Sequence, residues 1–311
     1  MNNETSDFLL LEFSKIWELQ IMHAALLLIM YLMIVTGNLL IISAIIFDHH
    51  IYIPMYFFLM NLAMQDIGSV SVIIPKAVIN SLTNIRYISY SGCIAQVLLF
   101  VFFLGSDIPL LTVMAYDRYV AICNPLQYEM IMNGKACMKM MGSVWIVSLL
   151  NASLHTIVTF HTPFCSNIIN QFFCEIQYLL KIACSGLYIT EIGVLIFNTI
   201  LAFGCFAFVI VTYVHVFSAV LRIPSVQGRK KAFSTCLPHL IVFSLFMFTG
   251  CFAYLKPISD SPSHNIDFII TILYSILPPM LNPLIYSMRN KDIKAYLSRI
   301  FVLSSYRFKE V

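Results

Sequence analysis

The stretch GCIAQVLLFVFFLGSDIPLLTVMAYDRYVAI, residues Gly92–Ile122, carries one charged side chain, Asp107, before it reaches the pair Asp117 and Arg118. A transmembrane helix needs about 20 apolar residues in a row, so this stretch is long enough to cross a membrane. The whole chain has the same character, because 60% of its 311 residues are hydrophobic and 11% are charged. Soluble domains carry about 25% charged residues. The composition therefore predicts a protein that is embedded in a membrane.

Six further stretches are long enough to cross. One is Pro54–Ile79, which contains the acid Asp66, and five contain no Asp, Glu, Lys or Arg: Leu19–Phe47, Met140–Cys174, Ile192–Leu221, Ala232–Leu255 and Phe268–Met288. Helices satisfy all their backbone hydrogen bonds internally, as lipid requires. We therefore expect an all-α membrane protein, a bundle of seven transmembrane helices over residues 23–288. The expected helices are 23–47, 54–79, 92–122, 139–160, 191–221, 229–255 and 266–288.

The basic residues predict the orientation of the bundle. Seven crossings place the two termini on opposite sides, and cytosolic loops carry the excess of Lys and Arg. Five of the 18 basic residues fall on the N-terminal side, and the remaining thirteen fall on the other side. Residues 1–22 are thus expected to form an extracellular tail, in which Asn3 begins an N-glycosylation sequon. Residues 289–311 are expected to form a cytoplasmic tail that begins with a short amphipathic helix on the membrane surface.

Two acids lie deep in the predicted spans. Asp107 is about 16 Å from Arg118 along the helix, and Asp66 is about 18 Å from Pro54, so both reach the middle of the membrane. Asn38 in the first span lies close to the same depth. Carboxylates in lipid are costly and mark functional sites. Together Asp66 and Asp107 would suit a hard cation such as Na⁺. The alternatives are that one carboxyl group is protonated, or that a polar cluster only fixes helix packing.

Asp117-Arg118-Tyr119 ends the third span at its predicted cytosolic edge. Arg118 can be neutralised by Asp117 while it remains free to move to another partner. The alternative is a charged stop at the membrane boundary.

Two other function classes, a proton-coupled transporter and an intramembrane enzyme, fit the composition less well. A transporter would use Asp66 and Asp107 as a proton or ion relay, but the halves of the chain show no internal repeat and the loops are short. An enzyme would need a nucleophile with a base, or a metal-ligand pattern, and the sequence contains neither, so no catalytic residue is predicted. The net charge of +3 is too small, and its basic residues too dispersed, for a nucleic-acid partner.

Four segments resemble the olfactory receptors, which are rhodopsin-like G-protein-coupled receptors. The four segments are, in chain order, PMYFFLMNLAMQD (Pro54–Asp66), MAYDRYVAICNPLQY (Met114–Tyr128), KAFSTCLPHL (Lys231–Leu240) and PPMLNPLIYSMRN (Pro278–Asn290). The pair Gly37-Asn38 in the first span also matches the family. Their order and spacing match the family along nearly the whole chain. The resemblance implies a receptor that binds a small volatile odorant and activates a heterotrimeric G protein of the stimulatory type, which raises cyclic AMP. It also implies residence in the plasma membrane, in the cilia of olfactory sensory neurons.

The resemblance assigns a G-protein switch, which rearranges when the sixth span swings outward. Its members are Asp117, Arg118, Tyr119, Tyr213, Asn282, Pro283 and Tyr286. Two residues depart from the family pattern: Pro238 stands where many members have Ser, and Met247 stands where many have Tyr. A proline removes a backbone hydrogen bond, and Met247 has no hydroxyl group, so the trigger is expected to differ in detail.

The predicted topology puts four of the nine cysteines outside the cell, namely Cys93, Cys165, Cys174 and Cys184. Four cysteines allow three pairings. The resemblance implies Cys93–Cys174, which fastens the long loop to the third span, and Cys165–Cys184.

A ligand pocket is expected under that loop. If the third span descends from Cys93, its pocket-facing positions are Phe100, Val101, Leu104 and Gly105. The resemblance supplies the other walls: His155, Asn198, Leu201, Gly250, Cys251, Tyr254, Ile272 and Ser275. The set is mostly apolar with a few hydrogen-bonding groups, as small-molecule pockets are. It contains no carboxylate, so an apolar ligand is expected rather than a cationic amine.

Overall fold

Ten α-helices, one short 3₁₀ helix (Pro125–Gln127) and three short strands make up the computed structural model, which describes residues 7–12, 16–47, 53–184, 189–255 and 264–289. The helices are α1 (Trp17–Phe47), α2 (Pro54–Thr83), α3 (Tyr90–Cys123), α4 (Tyr128–Ile131), α5 (Gly134–His161), α6 (Ile176–Ile182), α7 (Ile189–Leu221), α8 (Val226–Leu255), α9 (His264–Ser275) and α10 (Leu277–Arg289). The strands are β1 (Phe8–Leu10), β2 (Tyr87–Ile88) and β3 (Ile168–Ile169).

Six helices, α1, α2, α3, α5, α7 and α8, are long and apolar enough to cross a membrane. The seventh crossing consists of α9 and α10, which meet at Ile276. Helical hydrogen bonds continue through this junction, from Ile276 N to Ile272 O at 3.0 Å and from Met280 N to Ile276 O at 3.1 Å. At 1.5 Å per residue, residues 264–289 extend about 39 Å, enough to span the bilayer. The predicted bundle of seven transmembrane helices is confirmed.

Most helices are longer than the predicted segments. Helix α1 begins at Trp17 rather than at residue 23, and α2 ends at Thr83 rather than at residue 79. Helix α5, the fourth crossing, begins at Gly134 rather than at residue 139. The apolar runs mark the hydrocarbon layer, whereas helix ends are set by capping groups. The side chain of Asn133 accepts a hydrogen bond from Ala136 N at 3.0 Å and so begins α5 within a polar segment. The predicted surface helix in 289–311 and Asn3 lie outside the described residues.

A small sheet and two disulfides cover the end of the bundle that carries the N-terminus, here called the amino-terminal face. Strand β1 is central: it pairs antiparallel with β2, with Phe8 opposite Ile88, and parallel with β3, with Leu10 opposite Ile169. The disulfides Cys93–Cys174 and Cys165–Cys184 are the pairs that the resemblance implied. The first fastens the long loop between α5 and α7 to the top of α3.

Alternate residues of β1 are buried, as expected for a strand with one apolar face. Phe8 and Leu10 point into a cluster that includes Val97 of α3 and Ile169 of β3. The Phe8 ring lies 5.7 Å from the ring of Tyr90, centre to centre. The first described residues of the chain are therefore an integral part of this cover.

We predict that Phe8→Ala lowers the free energy of unfolding by about 3 kcal/mol, because it leaves a cavity in the buried cluster under β1. Thermal unfolding of the purified protein in lipid nanodiscs measures the loss. Asp7→Ala, at the neighbouring exposed side chain, is the matched control and leaves the unfolding temperature unchanged. Equal unfolding temperatures for all three proteins would show that β1 does not stabilise the fold.

Candidate functional site

The loop between α5 and α7 is fixed over the bundle by buried polar contacts as well as by Cys93–Cys174. Gln171 Nε2 donates to Thr271 Oγ1 of α9 at 2.8 Å, and Glu175 accepts a short hydrogen bond from the hydroxyl of Tyr274. Gln96 Oε1 of α3 accepts from Cys174 N at 2.9 Å. The loop therefore forms a lid that is attached to α3 on one side and to α9 on the other.

An apolar cluster lies beneath this lid, and it contains several of the predicted pocket residues. Phe100 and Leu104 of α3 are buried in it, and Ile272 of α9 packs against it. The Phe100 ring makes an edge-to-face contact with Phe173 of the lid, with ring centres 5.2 Å apart. Val101 contacts the neighbouring cluster under β1, and Cys251 packs against the cluster deeper in the bundle.

The two predicted pocket glycines border open space. A Cβ atom added at Gly105 or at Gly250 would meet no atom within 4 Å in the described structure. Both residues are only partly exposed. A glycine at such a position leaves room beside the helix for another molecule.

Three other predicted pocket residues are placed differently. The side chain of Leu201 is 51% exposed and belongs to none of the buried clusters of the described residues. Ser275 is buried, but its hydroxyl already donates to Thr271 O of its own helix at 2.6 Å. The side chain of Tyr254 lies outside the described residues.

His155 and Asn198 are brought together by an acid that the sequence analysis missed. His155 Nδ1 of α5 makes a short hydrogen bond with Glu191 Oε1 of α7, and Asn198 Nδ2 lies 2.7 Å from His155 Nε2. Glu191 is fully buried, with 0% of its surface exposed. It falls at the edge of the apolar run of α7, where a charged residue is ordinary, so the sequence pattern gave no sign that it is buried.

Asp66 and Asp107 are both buried in the middle of the bundle, close enough for their charges to interact. Asn282 Nδ2 of α10 donates to both carboxylate oxygens of Asp66, at 3.1 and 3.0 Å. Asn38 Nδ2 of α1 donates to Pro279 O at 3.3 Å. The predicted polar layer therefore links α1, α2 and α10, and Asp107 extends it to α3.

Three buried oxygens of this layer have no hydrogen-bond donor among the described residues: Asn38 Oδ1, Asp107 Oδ1 and Asn282 Oδ1. A buried oxygen without a donor costs free energy. Carboxylate and amide oxygens are the ligands that hard cations take, so this set of side chains fits a small cation. The described residues contain no cluster of three or more His, Cys, Asp or Glu that could hold a metal ion, so a cation here would depend on the amide oxygens of Asn38 and Asn282 as well as on the two acids.

The end of α3 at the face opposite the lid carries the Asp117–Arg118 ion pair. Arg118 Nη2 lies 3.0 Å from Asp117 Oδ2, and 15% of the Arg118 side chain is exposed. Asp117 Oδ1 also accepts a hydrogen bond from the hydroxyl of Tyr128 in α4, at 2.8 Å. Burial raises the pKa of the Tyr128 phenol, and the charge of Asp117 raises it further, so Tyr128 stays protonated and donates. The carboxylate is held from two sides.

His239 of α8 joins three helices and was also missed by the sequence analysis. Its Nδ1 lies 2.9 Å from the hydroxyl of Tyr213 in α7, and its Nε2 lies 2.8 Å from Leu111 O of α3. A histidine inside a charge-free span is a signal that could have identified it, because polar residues in lipid are rare and usually have a role. The preceding Pro238 lies within α8, which runs unbroken through it.

The remaining predicted switch residues lie near these contacts. The Tyr119 ring is 6.2 Å from the ring of His215, centre to centre. Pro283 of α10 packs so closely on α1 that a Cβ atom at Gly37 would lie 3.1 Å from the Pro283 Cβ atom. Met247 is buried in the deep cluster near Tyr213. The side chain of Tyr286 lies outside the described residues.

Comparison with known proteins gives matches along nearly the whole chain. A family model described as olfactory receptor matches residues 27–304. Human olfactory receptor 14I1 is 48% identical over 305 residues, which cover 97% of this chain and 98% of that protein. Human olfactory receptor 14L1 is 46% identical over 297 residues, covering 95% and 91%. Mouse olfactory receptor 1E16 is 43% identical over 297 residues, covering 95% and 94%.

We predict that His239→Leu lowers the free energy of unfolding by about 1–2 kcal/mol, since it removes two interhelical hydrogen bonds of about 0.6 kcal/mol each and leaves Leu111 O without this donor. Tyr213→Phe removes one of them and costs about 0.6 kcal/mol. Thermal unfolding in nanodiscs measures both losses. The matched control His161→Leu changes an exposed histidine at the end of α5 and leaves stability unchanged.

The double variant Tyr213→Phe/His239→Leu tests the shared bond. The double variant loses less unfolding free energy than the two single variants lose in sum, because both substitutions delete the same hydrogen bond. Strictly additive losses would show that Tyr213 and His239 do not interact.

Proposed function

This chain belongs to the olfactory receptor family, whose members are G-protein-coupled odorant receptors, and from that premise we propose how its parts serve that function. A small volatile apolar molecule binds between the helices under the lid. Binding favours one of two packings of the bundle, and that packing activates a stimulatory G protein, which raises cyclic AMP. A ligand shifts such an equilibrium only through its different affinities for the two states.

The observation that carries this proposal is the lid-covered apolar cluster around Phe100 and Leu104. Its walls offer aromatic and aliphatic side chains, and we infer that the His155–Asn198 pair, which the resemblance assigns to the pocket, offers hydrogen bonds at one edge. The open space at Gly105 and Gly250 supports entry of a molecule beside α3 and α8. Walls of this chemistry suit a small hydrophobic ligand with one polar group.

The orientation follows from the excess of basic residues. The amino-terminal face, with its lid and disulfides, is outside the cell, where oxidation is permitted, and Asp117-Arg118 faces the cytosol. The chain resides in the plasma membrane, in contact with its lipid, and in the cilia of olfactory sensory neurons. The lid then meets the odorant, and the opposite face meets the G protein.

Signal transmission uses the contacts that join α8 to its neighbours. In the described structure His239 holds α8 against α3 and α7, and Asp117 holds Arg118. Outward movement of α8 breaks the His239 contacts and frees Tyr213 and Arg118 for new partners. Such a shift between two discrete packings is a common form of switching in helical proteins.

Na⁺ is proposed as a structural ion of the polar layer. Asp66 and Asp107 would hold it together with the amide oxygens of Asn38 and Asn282, whose donor-free oxygens support this choice. The ion would offset the buried negative charge and favour the packing in which α2, α3 and α10 are close. The transporter alternative is not favoured, because the relatives are receptors.

We predict that Arg118→Ala abolishes odorant-evoked cyclic AMP, because the G protein loses its cationic contact, while surface expression remains near that of the wild type. Cells that express the receptor with a cyclic AMP reporter measure the response to an odorant panel. Arg86→Ala is the matched control: it also removes an arginine from an ion pair, with Glu12 at 3.3 Å, but on the amino-terminal face. Undiminished signalling by Arg118→Ala would refute the switch.

We predict that NaCl raises the unfolding temperature of the wild-type receptor above its value in choline chloride of equal ionic strength. An ion that binds only the folded state stabilises that state by about 2.7 kcal/mol when its concentration is 100 times its Kd. Asp107→Asn removes one anionic ligand and abolishes this difference, whereas Asp7→Asn, at an exposed site, retains it. An equal response to both salts in the wild type would exclude the ion site.

A further inference from the structure

We propose that Glu191, together with Thr159, selects ligands whose polar group donates a hydrogen bond, an alcohol or a primary amine on a small apolar body. This proposal rests on the proposed odorant pocket and names the class of ligand that it takes. It revises the expectation that the pocket has no carboxylate.

Two buried polar atoms that flank His155 have no hydrogen-bond partner among the residues that the structure describes. They are Glu191 Oε2 and Thr159 Oγ1. Thr159 lies one helical turn beyond His155 on α5, so the two side chains share a face. The other oxygen of Glu191 is already occupied by His155. The site therefore lacks a donor for Glu191 and a partner for Thr159.

The face of α7 that carries Glu191 also carries Asn198, one of the predicted pocket residues. Leu195 and Asn198 follow Glu191 at intervals of four and three residues, which places all three on one side of the helix. Leu195 packs against the same cluster as Val101 of α3, a predicted pocket residue. Asn198 is partly exposed and reaches His155. A molecule that contacts His155 or Asn198 therefore lies close to Glu191.

The chemistry of the two atoms defines the ligand. A carboxylate oxygen only accepts hydrogen bonds, and a threonine hydroxyl both donates and accepts. A ligand hydroxyl or ammonium group donates to Glu191 and contacts Thr159 once neighbouring side chains move aside, because both atoms are buried in the described structure. An ether has no donor, and a carboxylate would meet Glu191 with like charge. A site built around a polar group discriminates strongly against analogues that lack the matching group.

The test uses the full-length receptor in nanodiscs and three matched series: straight-chain alcohols, primary amines and methyl ethers with equal numbers of heavy atoms. Ligand-dependent thermal stabilisation gives the affinities. We expect the wild type to bind an alcohol or an amine at least about tenfold more tightly than the matched ether, as a hydrogen bond to a charged group allows. Preference for amines alone identifies a cationic ligand, and preference for alcohols identifies a neutral one.

Two variants test whether Glu191 and Thr159 cause the preference for hydrogen-bond donors over ethers. Glu191→Gln is expected to reduce it severalfold while ether binding remains, and Thr159→Val, which is nearly isosteric, is expected to reduce it to a smaller extent. If Glu191→Gln fails to fold, the wild-type ligand series and the Thr159→Val variant still test the proposal. Equal wild-type affinity for ethers and donors, or an unchanged preference in both variants, would overturn the proposal.

Cyclic AMP measured in cells with the same ligands separates this inference from the proposed function. Donor preference in purified receptor without any cyclic AMP response would support the role of Glu191 and refute the coupling. Ethers that raise cyclic AMP as strongly as alcohols would support the coupling and refute the role of Glu191.

Discussion

Lipid offers no hydrogen bonds, and the rest of this structure depends on that constraint. Every backbone group inside the membrane must be paired within the protein, which leaves helices as the form of all seven crossings. The same constraint acts on side chains, because a buried polar group without a hydrogen-bond partner raises the free energy of the folded state. Most polar side chains of the bundle are paired, as His239 is with Tyr213 and Leu111 O. Among the described residues, five of the ten buried polar atoms without a partner lie in the acidic layer or beside His155, and an added ion or molecule there would lower the free energy of the folded state.

The polar contacts also divide the molecule into parts with different tasks. Disulfides, the sheet and the bonds of Gln171 and Glu175 hold the amino-terminal face in one arrangement. At the opposite face, the buried carboxylate of Asp117 contacts Tyr128 and Arg118, whose side chains are partly exposed. A rigid cover at one end and exchangeable ion pairs at the other suit a protein that transmits a binding event through its helices. The acidic layer lies between the two ends, where Asn282 joins α10 to α2.

The sequence predicts the number of crossings well, because a charge-free run of membrane length is rare outside membrane-spanning helices. Helix ends were predicted less well, since caps such as Asn133 act in polar segments that hydropathy does not distinguish. Asp66 and Asp107 could be identified because an acid in the middle of an apolar run is rare. Glu191 could not, since its position at a span edge fits an exposed residue equally well. Leu201 was assigned to the pocket by resemblance to the family, and resemblance does not report how far its side chain is covered.

Strand β1 has a consequence for how the protein is made. It is the first described segment to leave the ribosome, yet its partner β3 lies about 160 residues later in the chain, as the pairing of Leu9 with Ile168 shows. Strand β2 and the start of α3 can cover Phe8 after two membrane helices, but the sheet is complete only after four membrane helices have been synthesised. Closing so long a loop is slow compared with local pairing. During that interval one edge of β1 and the apolar residues under it lack part of their cover, and completion of the sheet supplies it.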